Sequence, residues 1–239
     1  MDYAAAFQQS NAQLTAVLAE ANPDLPVPTC PGWTLRKLLT HVGRGDRWAA
    51  TIVSTRSTGP VDPATVADGK PPADHAGALD WLAAAPALLI EAAAAAPGAP
   101  VWTFIGPQVA SWWVRRRLQE AVVHTADALI AAGLPVELDP ALAADGVGEW
   151  LGLVTGSRAP ALDMGASLHL HATDTGGEWT VFRDETGIRW TAEHTTATAA
   201  LRGPAAELLL VLTRRFPLGR VERFGAEDVV TGFLARTPF

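Results

Sequence analysis

Cysteine occurs once in this chain, at Cys30, which excludes an internal disulfide framework and a cysteine-rich zinc cluster. Lysine is almost as scarce, since all 18 basic residues except Lys37 and Lys70 are arginine. Positive charge is in deficit. The formal net charge of −7 argues against nucleic acid or an anionic membrane surface as a partner. No stretch approaches twenty uninterrupted apolar residues; Ala83 to Ala96 comes closest and contains Pro86 and Glu91. The start of the chain has no basic region followed by an apolar run, so a cytoplasmic protein without a membrane partner is expected. What is present is 239 residues, 49% hydrophobic and 18% charged, enough for one large domain or two small ones.

Apolar residues recur at helical spacing over four long stretches. Residues 2–21 carry Tyr3, Phe7, Leu14 and Leu18, and Asn22-Pro23-Asp24 stops this helix. Three prolines keep the segment from Leu25 to Trp33 extended. Thr34 is a plausible N-cap for a second helix to about Arg56, with Leu35, Leu38, Leu39, Val42, Ala49 and Val53 as its stripe. A Gly/Pro/Asp-rich loop spans 57–73. The third helix covers about 73–96, and Pro86 inside it predicts a kink or a split. A loop from Val101 to Pro107 leads into the fourth helix, about 109–133, with Gly133 as its C′ residue.

Beyond a fifth helix at about 140–156 the period changes from 3.6 to 2. Residues 167–172, 178–182 and 187–192 alternate like strands, with turns at 175–177 and 184–187. Gly203-Pro204 opens an apolar helix, followed by a short strand near Val221 and a last helix from about Ala226 to Ala235. The expected fold is α+β in two domains. Residues 1–135 form a four-helix bundle, and 136–239 form a connecting helix and a small α/β domain with a mainly antiparallel sheet.

The sharpest chemical signal is Glu120 and His124, four residues apart and therefore on one face of the fourth helix. Both lie roughly 90–140° from the centre of that helix's apolar stripe, and His41 lies roughly 90° from the centre of its own. Two such shoulders facing a common groove could bring two imidazoles and a carboxylate to one divalent cation. Zn²⁺ is the natural choice, with a fourth position open for water or a thiolate. Glu-x₃-His with a remote His is a weak pattern by itself, because a helical Glu–His contact explains it equally.

Longer motifs sharpen it. Thr29-Cys30-Pro31-Gly32-Trp33-Thr34, followed by Leu38-Leu39-Thr40-His41-Val42-Gly43, resembles the entry to the second helix in the mycothiol-dependent maleylpyruvate isomerase family. Glu120-Ala121-Val122-Val123-His124-Thr125-Ala126-Asp127-Ala128 is similar to that family's second signature. Leu201-Arg202-Gly203-Pro204-Ala205-Ala206-Glu207 and Phe224-Gly225-Ala226-Glu227-Asp228 resemble its C-terminal domain. The resemblance covers nearly the whole chain. It implies a DinB-like metal-binding bundle with His41, Glu120 and His124 as ligands. It also implies mycothiol, a low-molecular-weight thiol, as co-substrate, and a small electrophile such as a maleylpyruvate-like activated alkene as partner. A metal-bound thiol loses its proton readily. The thiolate could add, allow rotation and leave, which is isomerisation, or stay attached, which is transfer.

Arg117 shares the ligand shoulder and would suit a substrate carboxylate through a bidentate contact, although a solvated helix face explains it as well. In the family an arginine near the end of the C-terminal apolar helix contributes to the active site; Arg214 and Arg215 compete for that place. Trp48 and Trp113 are candidates to line the groove and hold the thiol. Asp127, one turn beyond His124, reads either as an acceptor behind a ligand imidazole or as a surface charge. Cys30 reads as a small buried residue. His169 and His171 share one strand face and could bind metal, though a half-exposed strand explains them too. Two further classes stay open: a non-catalytic metal- or ligand-binding protein, and a metal-dependent hydrolase using bound water. A purely structural zinc takes four protein ligands, so three favour activity.

Overall fold

The structure is a computed structural model that describes residues 1–156 and 161–237. The chain divides into two compact units, Met1–Val136 and Glu137–Phe239.

The first unit is built on four long helices: α1 (Tyr3–Glu20), α2 (Leu35–Ser54), α3 (His75–Ala95) and α4 (Ser111–Ala131). Side chains cap three of them. Asp2 accepts from the Ala4 and Ala5 amides, Thr34 from Lys37, and Asp74 from Gly77. At the end of α4, Gly133 takes φ +69°, where the Gly133 and Leu134 amides reach the carbonyls of Ile130 and Leu129. Helix α1 packs on α3 and α4, and α2 packs on the same two. Leu14, Leu18, Leu38, Leu39, Val42, Leu82 and Ala128 fill the space between them. Gly43 lets α2 and α3 close together, because a Cβ there would lie 2.2 Å from the Trp81 ring.

Two local expectations give way. Helix α3 runs through Pro86 without a split, because Trp81, Leu82, Ala85, Pro86 and Leu89 are all buried and packing outweighs one lost hydrogen bond. Helix α3 is also the one helix among the described residues long and apolar enough to cross a membrane, and its buried face belongs to this core. The 101–107 loop joins two short strands, β1 (Pro100–Val101) and β2 (Gln108–Val109), which pair antiparallel.

The second unit contains α5 (Pro140–Gly156), β3 (Ser167–Ala172), β4 (Glu178–Asp184), β5 (Gly187–Thr191), β6 (Ala199–Gly203), α6 (Ala205–Leu212), β7 (Glu222–Gly225) and α7 (Glu227–Arg236). Its five strands lie in the order β5-β4-β3-β6-β7. The sheet is mixed rather than mainly antiparallel. After β5 the chain crosses back over the β3–β4 pair, so β6 enters beside β3 in parallel, while the other neighbours run antiparallel. Leu168, Leu170, Val181 and Leu201 are fully buried against the helical side, with Leu208 and Leu212 from α6.

Candidate functional site

Helices α2 and α4 pack closely enough to bring three side chains together. His41 Nε2 lies 3.5 Å from Glu120 Oε2, and His124 Nε2 lies 3.4 Å from the same oxygen. The two imidazoles are nearly perpendicular, with centroids 5.0 Å apart. One ligand atom from each residue falls within 4.8 Å of the others. The set grades from inside to outside: the His124 side chain is 4% exposed, Glu120 15% and His41 42%. His41 therefore forms the lip.

Asp127 is the fixed point beneath His124. It is fully buried, and its Oδ2 stands 2.8 Å from His124 Nδ1. A buried carboxylate at that distance keeps the imidazole proton on Nδ1, leaving the Nε2 lone pair turned toward Glu120. Thr29 Oγ1 donates to Asp127 Oδ1 at 2.5 Å, and Cys30 Sγ donates to Oδ2 at 3.5 Å. So the extended segment before α2 serves the site through Asp127, which settles that residue as an imidazole acceptor and not a surface charge.

Glu120 is held from the other side. Arg116 donates to its Oε1, and Arg117 Nη1 lies 3.4 Å from Oε2. Burial alone would raise the Glu120 pKa. The charge of Arg116, the hydrogen bonds of His124 and His41, and the charge of Arg117 outweigh it, and the carboxyl sits well below its usual range. For His124, burial acts downward, yet the bonds to Asp127 and Glu120 raise its pKa. An imidazole lone pair facing an ionised carboxylate oxygen calls for something positive between them, a proton or a cation. Two borderline nitrogen donors and one carboxylate fit a divalent first-row cation.

The Arg117 guanidinium is taken up by contacts within the helical unit. It is buried, its Nε donates to Asp46 Oδ1 at 2.6 Å, and its Nη2 donates to the Val42 carbonyl at 3.2 Å. The guanidinium lies across α2 at Gly45, where a Cβ would come within 2.7 Å of it. Burial pushes the Asp46 carboxyl up, against the pull of Arg117.

An open cavity of about 530 Å³ adjoins His41. Trp33 and Trp48 form walls, and Arg36, Lys37 and Arg44 supply positive charge. The Trp33 ring packs 4.8 Å from the His41 ring and 6.3 Å from that of His124. Of the two tryptophans singled out from sequence, Trp48 lines the cavity. Trp113 does not: it is buried, donates to the Trp102 carbonyl, and braces Trp48 edge-on at 5.4 Å. Trp33, Asp46, Arg116 and the cavity cations escaped sequence reasoning. The i, i+4, i+7 spacing of Lys37, His41 and Arg44 on one helix face was the available signal.

Arg214 and Arg215 both follow the end of α6 in the second unit. Arg214 has φ +64° and donates to the Leu234 carbonyl; Arg215 is buried and donates to the Thr213 carbonyl at 2.7 Å. The structure thus gives both guanidinium groups contacts with carbonyls of their own unit.

Comparison with known proteins agrees with this architecture. The family model described as the mycothiol maleylpyruvate isomerase N-terminal domain matches residues 4–129, and the MDMPI C-terminal domain matches 141–236. A crystal structure of the mycothiol-dependent maleylpyruvate isomerase superposes with a TM-score of 0.56 at 15% identity, covering 93% of this chain and 91% of that one. A histidine-to-alanine mutant of a mycothiol-dependent maleylpyruvate isomerase gives the same TM-score at 14% identity, with the same coverage. A search of curated protein sequences finds no match. At such identities the likeness to solved structures shows a shared fold, and the two domain matches, which follow one another along nearly the whole chain, show that it belongs to the mycothiol-dependent maleylpyruvate isomerase family of enzymes.

Proposed function

We propose that His41, Glu120 and His124 hold a divalent cation of the Zn²⁺ class, and that the chain is a mycothiol-dependent transferase or isomerase acting on a small electrophile. The observation that carries this reading is the convergence of two imidazole Nε2 atoms on one Glu120 oxygen, at 3.5 and 3.4 Å. When bound, such a cation lowers the pKa of a coordinated thiol, so that a thiolate is available at neutral pH.

The chain's own residues prepare for that chemistry. Asp127 keeps the proton on His124 Nδ1 and so aims Nε2 inward. Arg116 and Arg117 keep Glu120 ionised, and Asp46 fixes Arg117, making Arg117 a positioning residue. Trp33 and Trp48 shield two sides of the cavity from water. Lys37 and Arg44 stand where an electrophile's carboxylate would enter, in the role first expected of Arg117. Three protein donors leave coordination room for the thiol. A thiol co-substrate also fits a reducing cytoplasm, as the single cysteine does.

An activated cis-alkene such as a maleylpyruvate-like acid, assayed with and without mycothiol, tests the reading. Turnover that requires mycothiol supports it. Turnover of equal rate without thiol would point to bound water as nucleophile and overturn it.

A further inference from the structure

The second unit carries another convergence of metal-binding side chains, and the site above uses none of them. His169 and His171 are two apart on β3, so both project from one face of the sheet. Across the β3–β4 register His169 opposes Thr180 and His171 opposes Glu178. His194 lies beyond β5, in the crossover of residues 192–198 that leads to β6. Its ring stands nearly perpendicular to that of His169, with centroids 4.7 Å apart. One ligand atom from each of His169, His171, Glu178 and His194 lies within 4.8 Å of the others.

Three features distinguish this cluster from a chance gathering of polar residues. First, the Glu178 carboxylate sits between two imidazoles, 2.6 Å from His171 Nδ1 and 3.1 Å from His194 Nδ1. Second, the crossover is gripped on both sides of His194. Thr180 Oγ1 donates to the Glu193 carbonyl at 3.1 Å and accepts from Thr195 Oγ1 at 2.9 Å. A histidine whose side chain is 69% exposed is thereby held over the sheet, although packing does not require it there. Third, His169 is only 6% exposed, and its buried Nε2 has no hydrogen-bond partner among the described residues. Buried polar nitrogens are rarely left so, and a cation would satisfy this one.

We propose that His169, His171, Glu178 and His194 form a second divalent-metal site, which takes Zn²⁺ or a similar first-row cation and clasps the 192–198 crossover to the β3–β4 pair. Three imidazoles and a carboxylate are a borderline donor set suited to such ions. Four protein donors complete a tetrahedral shell, so this site is structural, where the three-donor site of the first unit leaves room for a reactant.

The test uses the full-length chain without an affinity tag, stripped by a chelator and titrated with ZnCl₂. In the Glu120→Ala/His124→Ala protein, which lacks two donors of the first site, one equivalent should still bind saturably and raise the thermal midpoint. Adding His194→Ala, an exposed position whose loss should not disturb folding, should weaken that binding about tenfold or more. Absence of saturable binding, in a protein whose circular dichroism matches the parent, overturns the proposal. So does unchanged affinity after His194→Ala. Should the double variant fail to fold, the parent and the His194→Ala single variant are compared instead: loss of one zinc per chain supports the site, and equal zinc content overturns it. Because the first site is removed in one arm and untouched in the other, failure of one site is read separately from failure of the other.

Discussion

Asp46 and Arg117 form a buried ion pair, with Asp46 Oδ1 and Arg117 Nε 2.6 Å apart, and the same guanidinium reaches Glu120. The pair ties α2 to α4 at the level where His41 and Glu120 meet. Removing Arg117 leaves the buried Asp46 carboxyl without its partner, whereas removing Asp46 leaves Arg117 its contacts with Glu120 and the Val42 carbonyl. Asp46→Ala is expected to lower unfolding free energy by about 1–3 kcal/mol, read from urea denaturation. Arg117→Ala leaves Asp46 buried without its partner and should cost more, about 3–5 kcal/mol. An Asp46→Ala protein as stable as the parent would show that the pair positions nothing.

Asp127 acts on the site through His124. Asp127→Asn keeps the shape but replaces an acceptor with a neutral amide, and metal affinity should fall about 10- to 100-fold in a competitive Zn²⁺ titration. Thr29→Ala removes one bond to the same carboxylate and should cost a smaller amount, on the order of 1 kcal/mol of stability. Equal metal affinity in the Asp127→Asn and parent proteins would remove Asp127 from the account.

Gly43 tests the packing that sets α2 against α3. A methyl group there meets the Trp81 ring, which is pinned by its Nε1 bond to the Asp68 carbonyl and by the Arg47 guanidinium 4.1 Å above it. Gly43→Ala should therefore destabilise the fold by about 1–3 kcal/mol, even though alanine is the better helix former. A rise in melting temperature would contradict this.

Lys37 and Arg44 line the cavity mouth on the same helix face as His41. Arg44→Ala is expected to raise KM for a carboxylate-bearing electrophile about fivefold, equivalent to ~1 kcal/mol, with kcat nearly unchanged. The difference should shrink as salt is added, because the contact is exposed. A kcat effect without a KM effect would place Arg44 elsewhere in the reaction.

The helical unit was largely legible because its signals are local. Thr34 as a cap, Gly133 past the end of α4, and the stripe of Leu35, Leu38, Leu39 and Val42 each follow from periodicity or backbone chemistry. The shoulder positions of His41, Glu120 and His124 came from the same wheel. Strand β6 carries no strand signal, because Ala199-Ala200-Leu201-Arg202-Gly203 has no β-branched or aromatic residue, and that strand alone makes the sheet mixed. Strands β1 and β2 are two residues each, too short for alternation to register. A helical wheel puts Arg117 on the ligand shoulder and leaves a solvated face open, because its buried partner, Asp46, lies 71 positions earlier on another helix. Long-range pairing of that kind leaves no periodic trace. Trp33 is hidden for a similar reason: it precedes α2 and reaches the site through the turn of the chain around Cys30.

The proposed thiol chemistry depends on one divalent cation held by His41, Glu120 and His124. The most direct measurement is metal content per chain, by mass spectrometry, of untagged parent and Glu120→Ala/His124→Ala proteins, alongside mycothiol-dependent turnover. The double variant is expected to carry one equivalent less zinc than the parent, to have no mycothiol-dependent turnover, and to keep a parent-like circular dichroism spectrum. Equal zinc content in the two proteins would contradict it.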